Sequence, residues 1–303
     1  MQVIILGNIA LDETFGLAAL PAAGASVAAQ AMGAGLGGKG ANQAVALARA
    51  LGATGQVRLV AALGDDAIAR DLEHLLRPEP VIFTPIRRCD KGSDRSIILR
   101  EGAGDNVVIT TQELAKSISA AEARAVVAGM TAEDMLVMQG NLDIATTQAA
   151  LEAAGARGVF RVLNPSPAAG CTAAHLAQAD LIVVNEEEAA QFDHHIPATA
   201  MVLRTLGKRG ATVTRGTQRI AEVVAEPLQA LDPTGAGDCF LGAALAAMLR
   251  RDARSLTAAD LAFAAAAAAV CVTRLGTQTA FPSLAEFEAL HQQAAGATRD
   301  TTA

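Results

Sequence analysis

Apolar segments of strand length alternate along this chain with segments of helical periodicity, and this alternation limits the fold class. It predicts strands at residues 3–6, 57–62, 81–85, 135–139, 159–163, 181–184 and 211–214, and helices at residues 40–51, 67–76, 120–128, 144–154, 198–206, 235–250, 258–272 and 284–294. Apolar strands separated by helices indicate a mainly parallel sheet that is covered on both faces. Ligands of such α/β folds bind beyond the carboxyl ends of the strands.

Three regions depart from this alternation. Residues 12–36 are rich in Ala and Gly and contain no convincing helix, whereas residues 94–110 have the pattern of a hairpin with a glycine-containing turn. We expect both regions to form extra strands outside the main sheet, with surface loops as the alternative. Residues 296–303 are expected to be a frayed polar tail.

The composition excludes several classes of protein. A formal net charge of −7 argues against general nucleic-acid binding, which requires a basic surface. No run of 18 apolar residues predicts a transmembrane helix, and no basic segment precedes the first strand as in a signal peptide. The four cysteines lie far apart, which favours a reduced, cytoplasmic protein without a structural metal.

A glycine-rich turn is followed by an apolar helix in the last third of the chain. Residues 232–238 read Asp-Pro-Thr-Gly-Ala-Gly-Asp, so Asp238 lies in the first turn of that helix. Unpaired N–H groups and the positive end of the helix dipole make such a turn a binding site for phosphate. A carboxylate inside an anion site suggests a base that removes a proton from a hydroxyl next to the phosphate. Capping of the helix by Asp238 is the alternative interpretation.

A second glycine-rich turn, Gly-Gly-Lys-Gly-Ala-Asn at residues 37–42, also precedes a helix. Together the two turns resemble the two signatures of the ribokinase-like (PfkB) family of sugar kinases. Further elements of the same family pattern follow in the same order, at residues 7–12, 163–168, 185–188, 214–216 and 272–276.

The resemblance implies a single domain over residues 1–303, a ribokinase-like three-layer α/β/α sandwich with a small β lid built from about residues 12–36 and 94–110. It implies an ATP-dependent carbohydrate kinase that transfers the γ-phosphate of MgATP to a hydroxyl, expected to be primary, of ribose or a related small sugar. A homodimer through the lid is also expected. A nucleoside kinase of the same family and a non-catalytic sugar- or nucleotide-binding protein are the alternatives.

The catalytic and substrate residues follow from the same resemblance. Asp238 is expected to be the general base, and the backbone amides of Gly235, Ala236, Gly237 and Asp238 to stabilise the transferred phosphoryl group. The sugar is expected to contact Asp12, Gly38, Lys39, Asn42 and Asn141. Two positions depart from the family's ribose-binding pattern: Ala10 replaces an amide, and Asn141 replaces a glutamate. These changes put ribose itself in question.

The nucleotide and its ions complete the set of expected ligands. The resemblance assigns Asn185, Thr214 and Gly216 to the nucleotide, and Glu188 to Mg²⁺ through water. A capping box is the alternative for Asn185 and Glu188, because the two residues are three positions apart at a helix start. A K⁺ ion is expected to activate the enzyme, with the carboxylate of Asp232 and carbonyls as ligands, at Asp232, Thr234, Cys271, Arg274 and Gly276. Ala280 replaces a serine of that cation site.

One other motif competes with this interpretation. Residues 33–38 match G-x-G-x-x-G, the dinucleotide-binding fingerprint. The motif follows a poor strand and lacks a clear acidic partner about 20 residues later, so we do not expect a dehydrogenase.

Overall fold

A computed structural model describes residues 1–52, 56–101 and 106–300 of the chain. Its main sheet has nine strands, β1 (Gln2–Leu6), β4 (Gln56–Leu63), β5 (Ile82–Arg87), β8 (Met135–Gln139), β9 (Phe160–Asn164), β10 (Leu181–Val184), β11 (Met201–Thr205), β12 (Ala211–Arg215) and β13 (Gln218–Val223). A smaller sheet has four, β2 (Ala10–Leu17), β3 (Gln30–Gly37), β6 (Arg95–Glu101) and β7 (Asn106–Thr110).

Helices cover both faces of the main sheet. They are α1 (Lys39–Leu51), α2 (Ala67–Leu76), α3 (Ala120–Val127), α4 (Ile144–Gly155), α5 (Ala173–Gln178), α6 (Glu186–Phe192), α7 (Ala236–Arg250), α8 (Ala258–Val272) and α9 (Leu284–Asp300). Alternate strand residues face opposite layers: Val3 and Ile5 pack with α1, α2, α7, α8 and α9, whereas Ile4 and Leu6 pack with α3 to α6. This arrangement is the predicted three-layer α/β/α sandwich.

The order of strands in the main sheet is β13-β12-β11-β10-β9-β8-β1-β4-β5. The run from β11 to β5 is parallel, and β12 and β13 add antiparallel strands at one edge. Because β1 pairs with β4 on one side and with β8 on the other, the chain changes direction across the sheet at β1. The carboxyl ends of β1 and β8 therefore border the crevice where α/β folds bind ligands.

The smaller sheet confirms that the two irregular regions form extra strands. β2 pairs antiparallel with β3 and parallel with β6, and β6 pairs antiparallel with β7 as the predicted hairpin. The glycine-containing turn of that hairpin falls at residues 102–105, outside the described residues. The sheet, which we call the lid, continues from β1 through β2 and returns to the core at α1, so it borders the same crevice.

The structure differs from the local predictions at four elements. Residues 198–206, predicted to be a helix, contain strand β11, which pairs with β10 and β12. Strand β13 and helix α5 were not predicted. Helix α9 continues to Asp300, beyond the predicted end at residue 294, while residues 301–303 lie outside the described part of the chain.

Candidate active site

Helices α1 and α7 pack side by side and bring their first turns together at the carboxyl edge of the sheet. Their close approach requires glycine at position 242, because a Cβ there would lie 2.6 Å from the Cβ of Ala46 and 2.7 Å from the backbone nitrogen of Leu47. The two glycine-rich turns identified in the sequence therefore become neighbours.

Asp238 lies at this junction and is buried. Its Oδ2 accepts a hydrogen bond of 3.1 Å from Nδ2 of Asn42, and its Oδ1 accepts one of 2.9 Å from Nε2 of Gln43. Both donors are neutral amides, so they hold the carboxylate in place without compensating its charge. A carboxylate held in this way is a candidate general base.

The two amides are themselves held by other amides. Gln278 donates to Oδ1 of Asn42 at 2.9 Å, and Gln139 donates to Oε1 of Gln43 at 2.7 Å. The sequence did not indicate Gln43, Gln139 or Gln278 as site residues. The only signal for Gln43 and Gln139 is a polar amide within a largely apolar segment, and Gln278, between two threonines, carries no such signal.

The turn before α7 has the geometry of an anion-binding loop. Gly235 adopts a left-handed conformation with φ of 77°, and a Cβ there would lie 2.7 Å from Cγ2 of Thr277, so glycine is required. The Ala236 N–H donates to the carbonyl of Pro233 at 3.2 Å. Of the four predicted anion-binding amides, those of Gly235, Gly237 and Asp238 are therefore better candidates than that of Ala236.

A cavity of about 420 Å³ lies between this turn and the lid. The structure brings all the predicted sugar-binding residues to it, together with the predicted general base: Asp12, Gly38, Lys39, Asn42, Asn141 and Asp238. The lid contributes Ser96, Ile98, Val108 and Thr110 to the wall. Ala10, the first departure from the family pattern, is fully buried at the start of β2 and is not part of the cavity wall.

Two polar atoms of this cavity lack a hydrogen-bond partner within the described structure, the buried Oδ1 atoms of Asp12 and Asn141. A buried acceptor without a donor is costly, and ligand hydroxyls would supply the missing donors. Burial raises the pKa of Asp12 to about 6, a hydrogen bond from Ser96 opposes that rise, and the charge of Asp238 adds to it.

A smaller cleft of about 120 Å³ lies on the other side of Asp238 and is lined by Lys39, Asn164, Asn185, Glu188, Gly235 and Gly237. Asn185 and Glu188 form the capping box of α6, with the Glu188 N–H donating to Asn185 at 2.8 Å and the Asn185 N–H to Glu188 at 3.0 Å. The alternative interpretation of this pair is thus confirmed. The capping role leaves both side chains at the cleft.

A third cleft, of about 510 Å³, opens beside Gly237 and has mainly aliphatic walls, including Pro227, Leu228, Ala265, Ala268 and Val272. Thr205, Gly207 and Gly210 border it. Thr214 and Gly216, which the sequence assigned to the nucleotide, do not border it.

The pairing register explains this difference in position. Thr205 pairs with Ala211 at the carboxyl edge of the sheet, whereas Thr214 pairs with Val202, near the start of β11. Since β12 is antiparallel to β11, its last residues point away from the site. The sequence Thr-Leu-Gly at residues 205–207 has the same Thr-x-Gly pattern as residues 214–216. The erroneous prediction of a helix over residues 198–206 concealed that this pattern ends a strand.

The residues expected to hold a monovalent cation lie close together. The Thr234 N–H and the Gly276 N–H donate to Asp232 at 3.0 and 3.1 Å, and the Sγ of Cys271 lies 3.8 Å from the carbonyl oxygen of Thr234. The side chain of Arg274 pairs with Glu286, and the prediction for Arg274 concerned only its carbonyl. Asp232 also forms an ion pair with Arg100 of the lid, a residue that the sequence did not indicate.

Cys239 lies next to Asp238 but is fully buried. A hydrogen bond with Cys271 and burial together raise the pKa of its thiol well above the ordinary value. A buried, protonated thiol is a poor nucleophile, so Cys239 is a packing residue of α7.

A buried carboxylate between a polar cavity and an anion-binding loop defines a phosphotransferase-type site on a parallel α/β sandwich. The sequence pattern of the pfkB family carbohydrate kinases matches residues 8–284. The chain therefore belongs to the PfkB family of carbohydrate kinases.

Individual relatives agree with this assignment. The chain is 28% identical to a ribokinase of Schizosaccharomyces pombe (95% of this chain and 97% of that protein) and 30% identical to one of Haemophilus influenzae (93% and 95%). It is 26% identical to a deoxyribokinase of Salmonella typhi (95% and 97%).

Solved structures of ribokinases share the fold. A ribokinase from Giardia lamblia superposes with a TM-score of 0.81 at 22% identity, covering 95% of this chain and 99% of that chain. A ribokinase from Cryptococcus neoformans in complex with ADP superposes with a TM-score of 0.80 at 25% identity, covering 96% and 99%.

Proposed function

We propose that this protein is an ATP-dependent kinase that phosphorylates a hydroxyl, expected to be primary, of ribose or a closely related sugar. The observation that carries the proposal is the position of Asp238, which borders both the lid cavity and the small cleft next to the anion-binding loop. The larger cleft shares Gly237 with that small cleft, so sugar, phosphate and nucleotide volumes lie in a row. The ribokinase and deoxyribokinase relatives support the choice of substrate class.

In the proposed reaction, the acceptor oxygen attacks the γ-phosphorus of ATP. A new O–P bond forms, the bond between the γ-phosphorus and the bridging oxygen of ADP breaks, and the hydroxyl proton passes to Asp238. The hydrogen bonds from Asn42 and Gln43 keep the carboxylate directed toward the cavity. A positioned base of this kind contributes about 10²- to 10⁴-fold to the rate.

Negative charge develops on the transferred group at the start of α7. The amides of Gly235, Gly237 and Asp238, together with the positive end of the helix dipole, would stabilise that charge. Phosphoryl transfer needs this combination of alignment and charge stabilisation more than covalent assistance.

Magnesium is part of the proposal, and the donor set of the small cleft fits it. Glu188, Asn185 and Asn164 present carboxylate and amide groups there, and Mg²⁺ prefers oxygen ligands and retains several waters. When bound, Mg²⁺ would neutralise charge on the β- and γ-phosphates. Glu188 would hold it through water.

The nucleotide base is proposed to occupy the aliphatic cleft beside α7 and α8. Thr205 and Gly207 lie where the phosphates would enter, in place of the residues first assigned from the sequence. The monovalent cation implied by the family resemblance is not included, because the carboxylate of Asp232 already has the Arg100 guanidinium as its counter-charge.

We further propose a homodimer formed through the outer face of the lid. Val108 and Thr110 line the cavity, so the alternate residues Val107 and Ile109 face outward, where both are exposed. They pair with Leu99 and Ile97 of β6, which extends the apolar surface. Replacement of Val107 and Ile109 by serine should give a monomer in light scattering at micromolar concentration, whereas a monomeric wild-type protein would contradict the dimer.

A cytosolic location is proposed because ATP is supplied there.

The proposal is tested by measuring ADP release from MgATP with a panel of pentoses, 2-deoxyribose, hexoses, sugar acids and nucleosides. Turnover on one sugar would identify the acceptor. The turnover numbers with ribose and with 2-deoxyribose would show which of the two is preferred by a site that has Asn141 in place of the family's glutamate. Turnover restricted to nucleosides would replace this function by that of a nucleoside kinase. ATP binding without turnover on any compound would favour a non-catalytic binding protein.

A further inference from the structure

Within the described residues, the lid reaches the loop that precedes the anion-binding turn through the ion pair between Arg100 and Asp232. We propose that Arg100 is a positioning residue that supplies a permanent positive charge to Asp232 in place of a free monovalent cation. The inference rests on the proposed kinase function.

Asp232 organises two loops at once. Only 2% of its side chain is exposed, its Oδ1 accepts the N–H of Thr234 at 3.0 Å, and its Oδ2 accepts the N–H of Gly276 at 3.1 Å. These two hydrogen bonds and the ion pair with Arg100 all stabilise the ionised form of the carboxylate. The carboxylate is therefore charged, and a buried charge requires a counter-charge.

Arg100 meets that requirement from the lid. Residues at positions 96, 98 and 100 of β6 face the same way, since strand side chains alternate. Ser96 and Ile98 line the sugar cavity, and Arg100 continues the row to Asp232. Its side chain is 18% exposed, so water screens this pair incompletely.

A free K⁺ ion would have to share this place with the guanidinium. The two cations would repel each other, and Arg100 already occupies Oδ2 of Asp232 beside the Gly276 N–H. Ala280, where the family pattern has a serine, offers no side-chain oxygen. The donor set thus fits Arg100 better than it fits K⁺.

The consequence for catalysis is a link between lid and anion-binding loop. Asp232 fixes the backbone of Thr234, which lies directly before Gly235. A sugar in the cavity would contact the same strand of the lid that carries Arg100. The position of the lid and the shape of the loop therefore both depend on the ion pair between Arg100 and Asp232. Arg100 acts through Asp232 and does not contact the reacting atoms.

The experiment compares the wild-type protein with Arg100→Ala in KCl and in tetramethylammonium chloride at equal ionic strength. Arg95→Ala is the matched control, because Arg95 lies on the same lid strand but pairs with Glu13, at 3.3 Å. Turnover is measured on the best acceptor. Thermal unfolding is measured in both salts without any substrate, so that this readout remains valid if no acceptor is phosphorylated.

We expect the wild-type protein and Arg95→Ala to have turnover numbers within about twofold in the two salts, since a surface pair contributes little. Turnover of Arg100→Ala should fall about tenfold in tetramethylammonium chloride, because its partner is left buried and unpaired, and KCl should restore most of it. The melting temperature of Arg100→Ala should rise with KCl, as expected when a cation binds the folded state.

Two results would overturn the proposal. The first is a wild-type protein that KCl activates and stabilises as strongly as it does Arg100→Ala. The second is an Arg100→Ala protein whose turnover and melting temperature are the same in both salts. If Arg100→Ala does not fold, Arg100→Gln, which keeps most of the side chain, is tested in the same way.

Discussion

The Nδ2 atom of Asn42 donates a hydrogen bond of 3.1 Å to the Oδ2 atom of Asp238, although the two residues are 196 positions apart in the chain. This bond joins the first turn of α1 to the first turn of α7. The sugar-side turn and the anion-binding turn are therefore held in register by the same residue that is proposed to bind the sugar.

Replacement of Asp238 by asparagine should lower turnover by about 10³-fold, because an amide cannot accept the hydroxyl proton. The Kd for ATP should change little, since the nucleotide cleft is intact. Single-turnover kinetics and nucleotide titration measure the two effects. Asp143→Asn is the control, because asparagine caps α4 as well as the aspartate does. Unchanged turnover in Asp238→Asn would remove Asp238 from the mechanism.

Gln43 should affect turnover more than sugar binding. Gln43→Met has similar length but cannot donate to Oδ1 of Asp238, so we expect kcat to fall about tenfold with little change in KM for the sugar. Gln292→Met, on the exposed side of α9, is the control. A change confined to KM would show that Gln43 serves the sugar and not the base.

The two threonines at opposite ends of adjacent strands provide a test of the nucleotide site. Thr205→Val keeps the β-branched shape but removes a hydroxyl at the nucleotide cleft, so KM for ATP should rise about tenfold. Thr214→Val, three pairs away in the register, should leave KM for ATP unchanged. Equal effects of the two variants, or a larger effect at Thr214, would restore the original sequence assignment.

The parts of the site that the sequence could predict are local. Asp238 and the glycines before it lie within one continuous turn, and the cavity under the lid collects Asp12, Lys39 and Asn141. Those residues carry their chemistry in short motifs whose spacing fixes their position relative to a strand or helix end.

The parts that could not be predicted depend on tertiary contacts. Gln43 and Gln139 meet only because α1 packs against the centre of the sheet, and Arg100 meets Asp232 only because the lid folds over the crevice. The prediction of a helix over residues 198–206 failed for a different reason. Its short apolar run is compatible with either a helix or a strand, and its pairing with β10 decided the outcome.

Protonation of Asp12 should control sugar binding. Its pKa is raised to about 6, and sugar hydroxyls would donate to the ionised carboxylate. The Kd for the sugar, measured without nucleotide, should thus be constant above about pH 7 and weaken about tenfold per pH unit well below pH 6. Asp12→Asn should bind weakly with no dependence on pH in this range. A wild-type Kd that is flat from pH 5 to pH 8 would contradict the role of Asp12.

The same residue should lower the stability of the folded protein at neutral pH. Because the folded-state pKa of Asp12 lies above its ordinary value of 3.8, the native state holds the proton more tightly than the unfolded state does. The contribution of Asp12 is therefore most favourable below about pH 4 and is lost as the pH rises through about 6. At pH 7.5, Asp12→Asn should be more stable than the wild type by about 1 kcal/mol, allowing for the exposed part of the side chain. Urea denaturation at pH 4 and pH 7.5 measures this difference, and an Asp12→Asn protein that is less stable at pH 7.5 would show that the ionised carboxylate is compensated within the fold.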